Sequence, residues 1–172
     1  MSANLAPSIP NNLGFLTVVR EPAGFLGGYL VTNTWGKPLE FRLTSAVQPQ
    51  RVHQILYGDS LESYIAGDLI GKSLLDKSTT PAQLVVTDSP AALVLRLRVE
   101  LPVALVVPAD GEALNCLPVQ DRIFCSPHAP RDVAAIRSIL EKLGPLDLTE
   151  PFARIREALG EARKLGVAKA AA

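Results

Sequence analysis

Cysteine, histidine and tryptophan are scarce, with two, two and one respectively in 172 residues. Two thiols build no disulfide framework, and in an intracellular setting they stay reduced. Two histidines and no paired acidic motif leave little material for acid–base catalysis. An excess of charge of one sign is missing too. Lys plus Arg total 17 and Asp plus Glu total 17, so no overall field draws the chain to nucleic acid or to an anionic membrane. Long apolar runs are also absent. The greasiest stretch, residues 93–107, is broken by Arg96, Arg98 and Glu100 and falls short of the ~18 residues of a membrane span. The first twenty residues lack the basic start, apolar run and small-residue site of a secretory signal. These absences point to a soluble, cytoplasmic protein. Gly24, Gly27 and Gly28 lie within an extended pattern and fit no G-x-x-x-x-G-K-[ST] loop, so strand geometry is their expected role.

What remains is globular. Apolar residues make up 48% and charged residues 20%, and a chain of this size folds as one domain burying roughly 70% of its unfolded surface. Residues 1–12, with Pro7, Pro10 and three asparagines, read as an arm, 13–166 as the domain and 167–172 as a frayed tail.

Within 13–48 the pattern predicts an antiparallel three-stranded meander. Residues 14–20 and 25–33 flank the turn at 21–24, with a bulge or close approach near Gly27-Gly28, and Leu39, Phe41 and Leu43 alternate with polar neighbours. Over 49–76 the period becomes helical, broken at Tyr57-Gly58. Val52, Ile55 and Leu56 mark the first piece; the second opens on an Asp59/Glu62 capping box and buries Leu61, Ile65, Leu69 and Leu74. Residues 83–108 predict a compact βαβ unit, from a strand over 83–87, a helix opened by Ser89-Pro90, and a strand after Leu101. Residues 91–100 also alternate as a strand would, although Ala91, Ala92 and Leu93 after the Ser-Pro start favour helix. A small hairpin around Gln120-Asp121 would set Cys116 opposite Cys125. Over 129–166, the stripes Val133, Ile136, Leu140, Leu143 and Phe152, Ile155, Leu159, Ala162 predict a helical hairpin. Gly144-Pro145 ends its first helix and Thr149 caps its second. The fold class is mixed α/β, with this hairpin packing on or beside a mixed sheet whose strand order the pattern leaves open.

Four groups of residues invite a functional role. Asp88 and Ser89 follow a strand expected to be parallel, where a carboxylate and a helix N-terminus meet ligands; the plainer expectation is that they cap the next helix. Cys116, Cys125 and His128, with His53 as a remote fourth, are soft metal-ligand types, but C-x8-C-x2-H lacks a Cys-x-x-Cys knuckle and no metal or cofactor is expected. Trp35, in the turn with Asn33, either stands exposed as a binding anchor or lids the core. Arg154, Arg156, Arg163 and Lys164 interleave with Glu157 and Glu161 as a solvated face. Nucleic-acid binding would need Arg20, Lys37, Arg42 and Arg51 to share one face.

Well-patterned elements without a converging titratable cluster favour a non-catalytic protein-binding or scaffolding module that meets a protein partner or itself. It would use a strand edge, the Trp35 turn or the terminal helices. The alternative is a small-molecule enzyme or ligand-binding protein using Asp88 as metal ligand or base and Ser89 in an anion cradle.

Overall fold

A computed structural model of the chain describes residues 11–166, so the arm expected at 1–12 falls mostly, and the tail at 167–172 wholly, outside the described residues. Two nine-residue strands, β1 (Leu13–Glu21) and β2 (Gly24–Thr32), pair antiparallel in unbroken register around Pro22-Ala23. β3 (Pro38–Leu43) returns along β2. β4 (Leu84–Thr87) then lies parallel to β1, and β5 (Val103–Val106) parallel to β4. β6 (Leu117–Gln120) and β7 (Ile123–Cys125) form the expected small hairpin, with β7 antiparallel to β5. The result is a seven-stranded mixed sheet in the order β3-β2-β1-β4-β5-β7-β6, so β3 and β6 are its edges.

Helices cover both faces. On one, Phe15, Leu30, Leu84, Val86 and Ala104 meet Ile136 of α3 (Asp132–Leu143) and Phe152 and Ile155 of α4 (Glu150–Lys164). On the other, Leu16, Tyr29, Val85 and Leu105 meet Ile65, Ile70 and Leu74 of a helix over 61–77 (α2), together with Leu95 of the segment Pro90–Leu97. Consecutive residues of β4 thus belong to opposite cores, which is why its run is apolar throughout.

The crossover between β4 and β5 is helical, as the Ser-Pro start implies, but it winds as a 3-10 helix over Pro90–Leu97. Its Arg96 reaches the start of α3 and donates from Nε to Asp132 Oδ2 at 2.6 Å and from Nη1 to the Val99 carbonyl at 2.9 Å. Both charged side chains are buried. Removing one partner of such a pair costs about 3–5 kcal/mol, because the other is left unsolvated.

Several expectations are corrected. Residues Tyr64–Gly71 of α2 are π-helical, so the buried side chains fall at Ile65 and Ile70, five apart, and Leu69 turns outward at 39% exposure. The Asp59/Glu62 capping box does not form; Ser60 precedes the helix without a side-chain cap. Ser89 and Thr149 occupy N-cap positions but make no side-chain cap bond. The start of α4 is instead held by Asp147, whose Oδ1 accepts from the Thr149 and Glu150 backbone N–H groups. The only bulge in the β1–β3 meander lies at Val31/Thr32, not at the glycines. In the small hairpin Cys125 faces Leu117 rather than Cys116. The terminal helices cover one side of the sheet from opposite ends, α4 over β1 and β2 and α3 over β6 and β7. Gly144 ends α3 with φ 68, as its position predicts.

The largest departure is α1 (Arg51–Tyr57), which buries none of its residues and leaves Val52, Ile55 and Leu56 at 57, 63 and 76% exposure. Full burial of each such side chain is worth roughly 1.5–3 kcal/mol. The chain forgoes most of that here.

Gly27 and Gly28 make the close approach that their position suggests. A Cβ on Gly27 would stand 2.1 Å from Ile70 Cγ2 of α2, and one on Gly28 would stand 2.5 Å from Ile155 Cγ2 of α4. Gly27→Ala and Gly28→Ala are therefore each expected to destabilise by about 1–3 kcal/mol through overpacking. Urea unfolding checks this, and an unchanged or higher midpoint, as lost glycine flexibility alone would give, contradicts the packing described.

Candidate functional site

The carboxyl end of β4 lies beside the middle of β1, because the two strands are parallel and Thr87 pairs with Leu16. Asp88 follows β4 directly. Its Oδ1 accepts from the buried Thr17 hydroxyl of β1 at 2.6 Å, and its Oδ2 accepts from the guanidinium of Arg156 on α4. The Ser89 backbone N–H donates to Thr87 Oγ1 at 3.1 Å. Asp88 thus closes a joint between β1, β4 and α4 and does not cap the 3-10 helix. Thr17 and Arg156, its partners, stand 71 and 68 residues away, and no local pattern marks them. The clefts described below are lined by neither Asp88 nor Ser89.

The sulfur candidates separate. Cys125 belongs to the core under α3 and α4, while Cys116 packs against the core on the opposite face and donates to the Leu114 carbonyl. His128 is exposed and lines a cleft of about 410 Å3 with Arg96, Leu97 and Arg131. His53 stands on α1, edge-on to Tyr57. Among the described residues no group of three or more His, Cys, Asp or Glu is placed to hold a metal ion. Burial raises the Cys125 thiol above its ordinary range, and the Asp132 carboxylate and the Cys116 thiol add to the shift.

Trp35 is 74% exposed, on a turn fixed from two directions. Asn33 Oδ1 accepts from the backbone N–H groups of Trp35 at 3.0 Å and Lys37 at 2.9 Å. Arg154 of α4 donates to the Gly36 carbonyl at 2.9 Å while pairing with Glu150. Trp35 walls a cleft of about 390 Å3 with Phe15, Leu146, Asp147 and Pro151. Beside it runs edge strand β3. Phe41 pairs with Leu30, which faces α4, and by alternation Leu39 and Phe41 share that side. α4 packs mainly over β1 and β2, and at β3 its core takes in Leu43, while Leu39 and Phe41 stay 44 and 37% exposed. Leu39 and Phe41, with Trp35 on the turn that leads into their strand, are thus exposed apolar side chains at a sheet edge that has no further strand among the described residues, where exposed apolar surface marks interaction. The alternation around Leu39 and Phe41 signalled a face turned inward; which helix reaches it is not written in β3.

The opposite side of β3 is anchored. Glu40 pairs with Arg42 at 3.0 Å and accepts from the Thr79 and Thr80 backbone N–H groups beyond α2. Burial by itself would raise this carboxyl, but the bonds from Thr79, Arg42 and Ser78 outweigh it and hold the pKa down at about 2.

On the last helix, Arg156 and Arg163 reach away to Asp88 and Glu21, whereas Arg154 and Lys164 pair along the helix with Glu150 and Glu161. The basic face is thus partly a set of tethers to the sheet. Arg20 sits over the Phe25 ring and Arg42 pairs with Glu40. No helix among the described residues is long and apolar enough to cross a membrane. The chain matches no family model and no curated protein by sequence.

Glu40 is ionised with a depressed pKa, so its contribution is full above about 4.5 and is lost as pH falls through about 2. Glu40→Gln is expected to lower Tm near neutral pH, with the gap from the parent chain closing over that acid window; a gap independent of pH contradicts the assignment. Cys125 should resist iodoacetamide in the folded protein and react once urea exposes it, with Cys116→Ser isolating its signal. Rapid labelling without denaturant would place Cys125 outside the core.

Proposed function

We propose that the protein is a non-catalytic protein-binding module whose contact surface is the Trp35 turn together with the free edge of β3. The observation that carries this reading is the exposure of Trp35, Leu39 and Phe41 at a strand with no further neighbour among the described residues. An edge strand offers unpaired backbone groups to an extended partner segment, and the apolar row supplies pockets for alternate side chains. Tryptophan is the residue type most enriched among binding hot spots. Asn33 and Arg154 fix the turn before any partner arrives, so little ordering cost falls on binding. A small-molecule site at Asp88 and Ser89 would require Arg156 to leave the carboxylate it now neutralises.

The test pairs affinity capture with reconstitution. A partner retained by the parent chain, then purified, should shift the emission of the sole tryptophan to the blue on titration. Trp35→Ala and Phe41→Asp should each weaken that partner's binding by about 30-fold or more, the loss of a hot spot of ≥ 2 kcal/mol. Trp35 is 74% exposed, so Trp35→Ala should keep the parent Tm, whereas Phe41 is 37% exposed and Phe41→Asp is compared at a temperature well below its own Tm. Full retention of the partner by both variants defeats the proposal.

A further inference from the structure

The two sides of edge strand β3 differ in chemistry. Leu39 and Phe41 turn toward the α4 side, and by alternation Glu40 and Arg42 turn toward α2. On that second side a cleft of about 220 Å3 opens between β3 and α2, lined by Arg42, Thr44, Ser45, Leu69, Ser73 and Lys77. Its charged groups are all cations. Arg42 gives Nε to Glu40 at 3.0 Å and makes no other ion pair among the described residues, and Lys77 makes none. The neighbouring carboxylates are already engaged. Glu40 accepts from Arg42, Thr79 and Thr80, and Asp76 pairs with Lys72. Neither lines the cleft. Two cations and three hydroxyls thus line one hollow that holds no carboxylate of its own.

A segment that adds to the outer edge of β3 sends successive side chains to opposite faces of the sheet. Those on the α4 side meet Leu39 and Phe41. The side chain across from Arg42 falls on the α2 side, at the cleft. Opposite charges directly across neighbouring strands attract, and like charges repel. A basic side chain at that place would face Arg42 and Lys77 together, whereas a carboxylate would accept from both. Such complementarity selects a partner and its register more than it adds raw affinity. Building on the β3-edge reading, we propose that the partner is an extended segment alternating apolar and acidic residues, with one carboxylate opposite Arg42 seated in the cleft that Arg42 and Lys77 share.

Two fluorescein-labelled octapeptides test this on the full chain by fluorescence anisotropy: Thr-Val-Glu-Val-Glu-Val-Glu-Thr, and its counterpart with lysine at each glutamate. The acidic peptide should bind about fivefold tighter or more than the basic one, and the gap should shrink as added salt screens it. Lys77 is exposed at the end of α2, so Lys77→Glu should keep the fold while closing most of the gap. Lys142→Glu, on α3, should leave the gap as it is. Trp35→Ala should weaken both peptides alike, because it acts on the apolar side. Equal binding of the two peptides that still depends on Trp35 overturns the acidic assignment and leaves the β3-edge reading standing. Acidic-peptide binding untouched by Trp35→Ala defeats both. A preference for the basic peptide, binding of neither, or an equal loss in Lys142→Glu and Lys77→Glu also overturns the proposal.

Discussion

Two adjacent glycines in β2 set the thickness of the whole molecule. Neighbouring strand residues point to opposite faces, so Gly27 opens the sheet to Ile70 of α2 and Gly28 opens it to Ile155 of α4. With nothing but backbone between them, both helices settle closer than a β-carbon would allow. The seating of α4 then decides where its arginines arrive: Arg154 at the Gly36 carbonyl, Arg156 at Asp88 and Arg163 at Glu21. It also decides what α4 leaves bare. Lying mainly over β1 and β2, its core takes in Leu43 at the end of β3 but leaves Leu39 and Phe41, part of the surface proposed as the contact, largely uncovered.

The strands were legible because period-two alternation, turn residues and the unbroken apolar run at 84–87 are local signals that burial rewards directly. The stripes of α3 and α4 were legible for the same reason, and Ile136, Leu140, Phe152, Ile155 and Leu159 are all buried. Two kinds of information were not local. Helical phase in α2 depends on five-residue winding between Ile65 and Ile70, which Gly67 and Gly71 accommodate by letting Val94, Leu16 and Leu95 approach; a 3.6-residue template therefore misassigns Leu69. Apolar periodicity in α1 states that a face seeks cover without stating that the cover lies within the chain.

Polar side chains were the least readable. Asp88, Asp132, Asp147 and Glu40 each join segments of backbone, and for three of them the partner lies in another element. A capping reading of Asp88 was reasonable from its neighbours, but a carboxylate beside a helix start takes the strongest donor within reach, and the fold delivers Arg156 to it. Asp88, the carboxylate that the sequence pattern flags as chemistry, here acts as a fastener between β1, β4 and α4.

The position of β1 between β2 and β4 has a consequence for how the chain acquires its shape. One flank of β1 is met at once by a hairpin neighbour, while the other waits for Leu84–Thr87, beyond the whole of α2. Closing so distant a parallel pair is slow relative to hairpin formation. Until that later segment is in place, the β1–β2 hairpin keeps a bare flank along β1, the kind of unpaired edge on which partly folded chains associate.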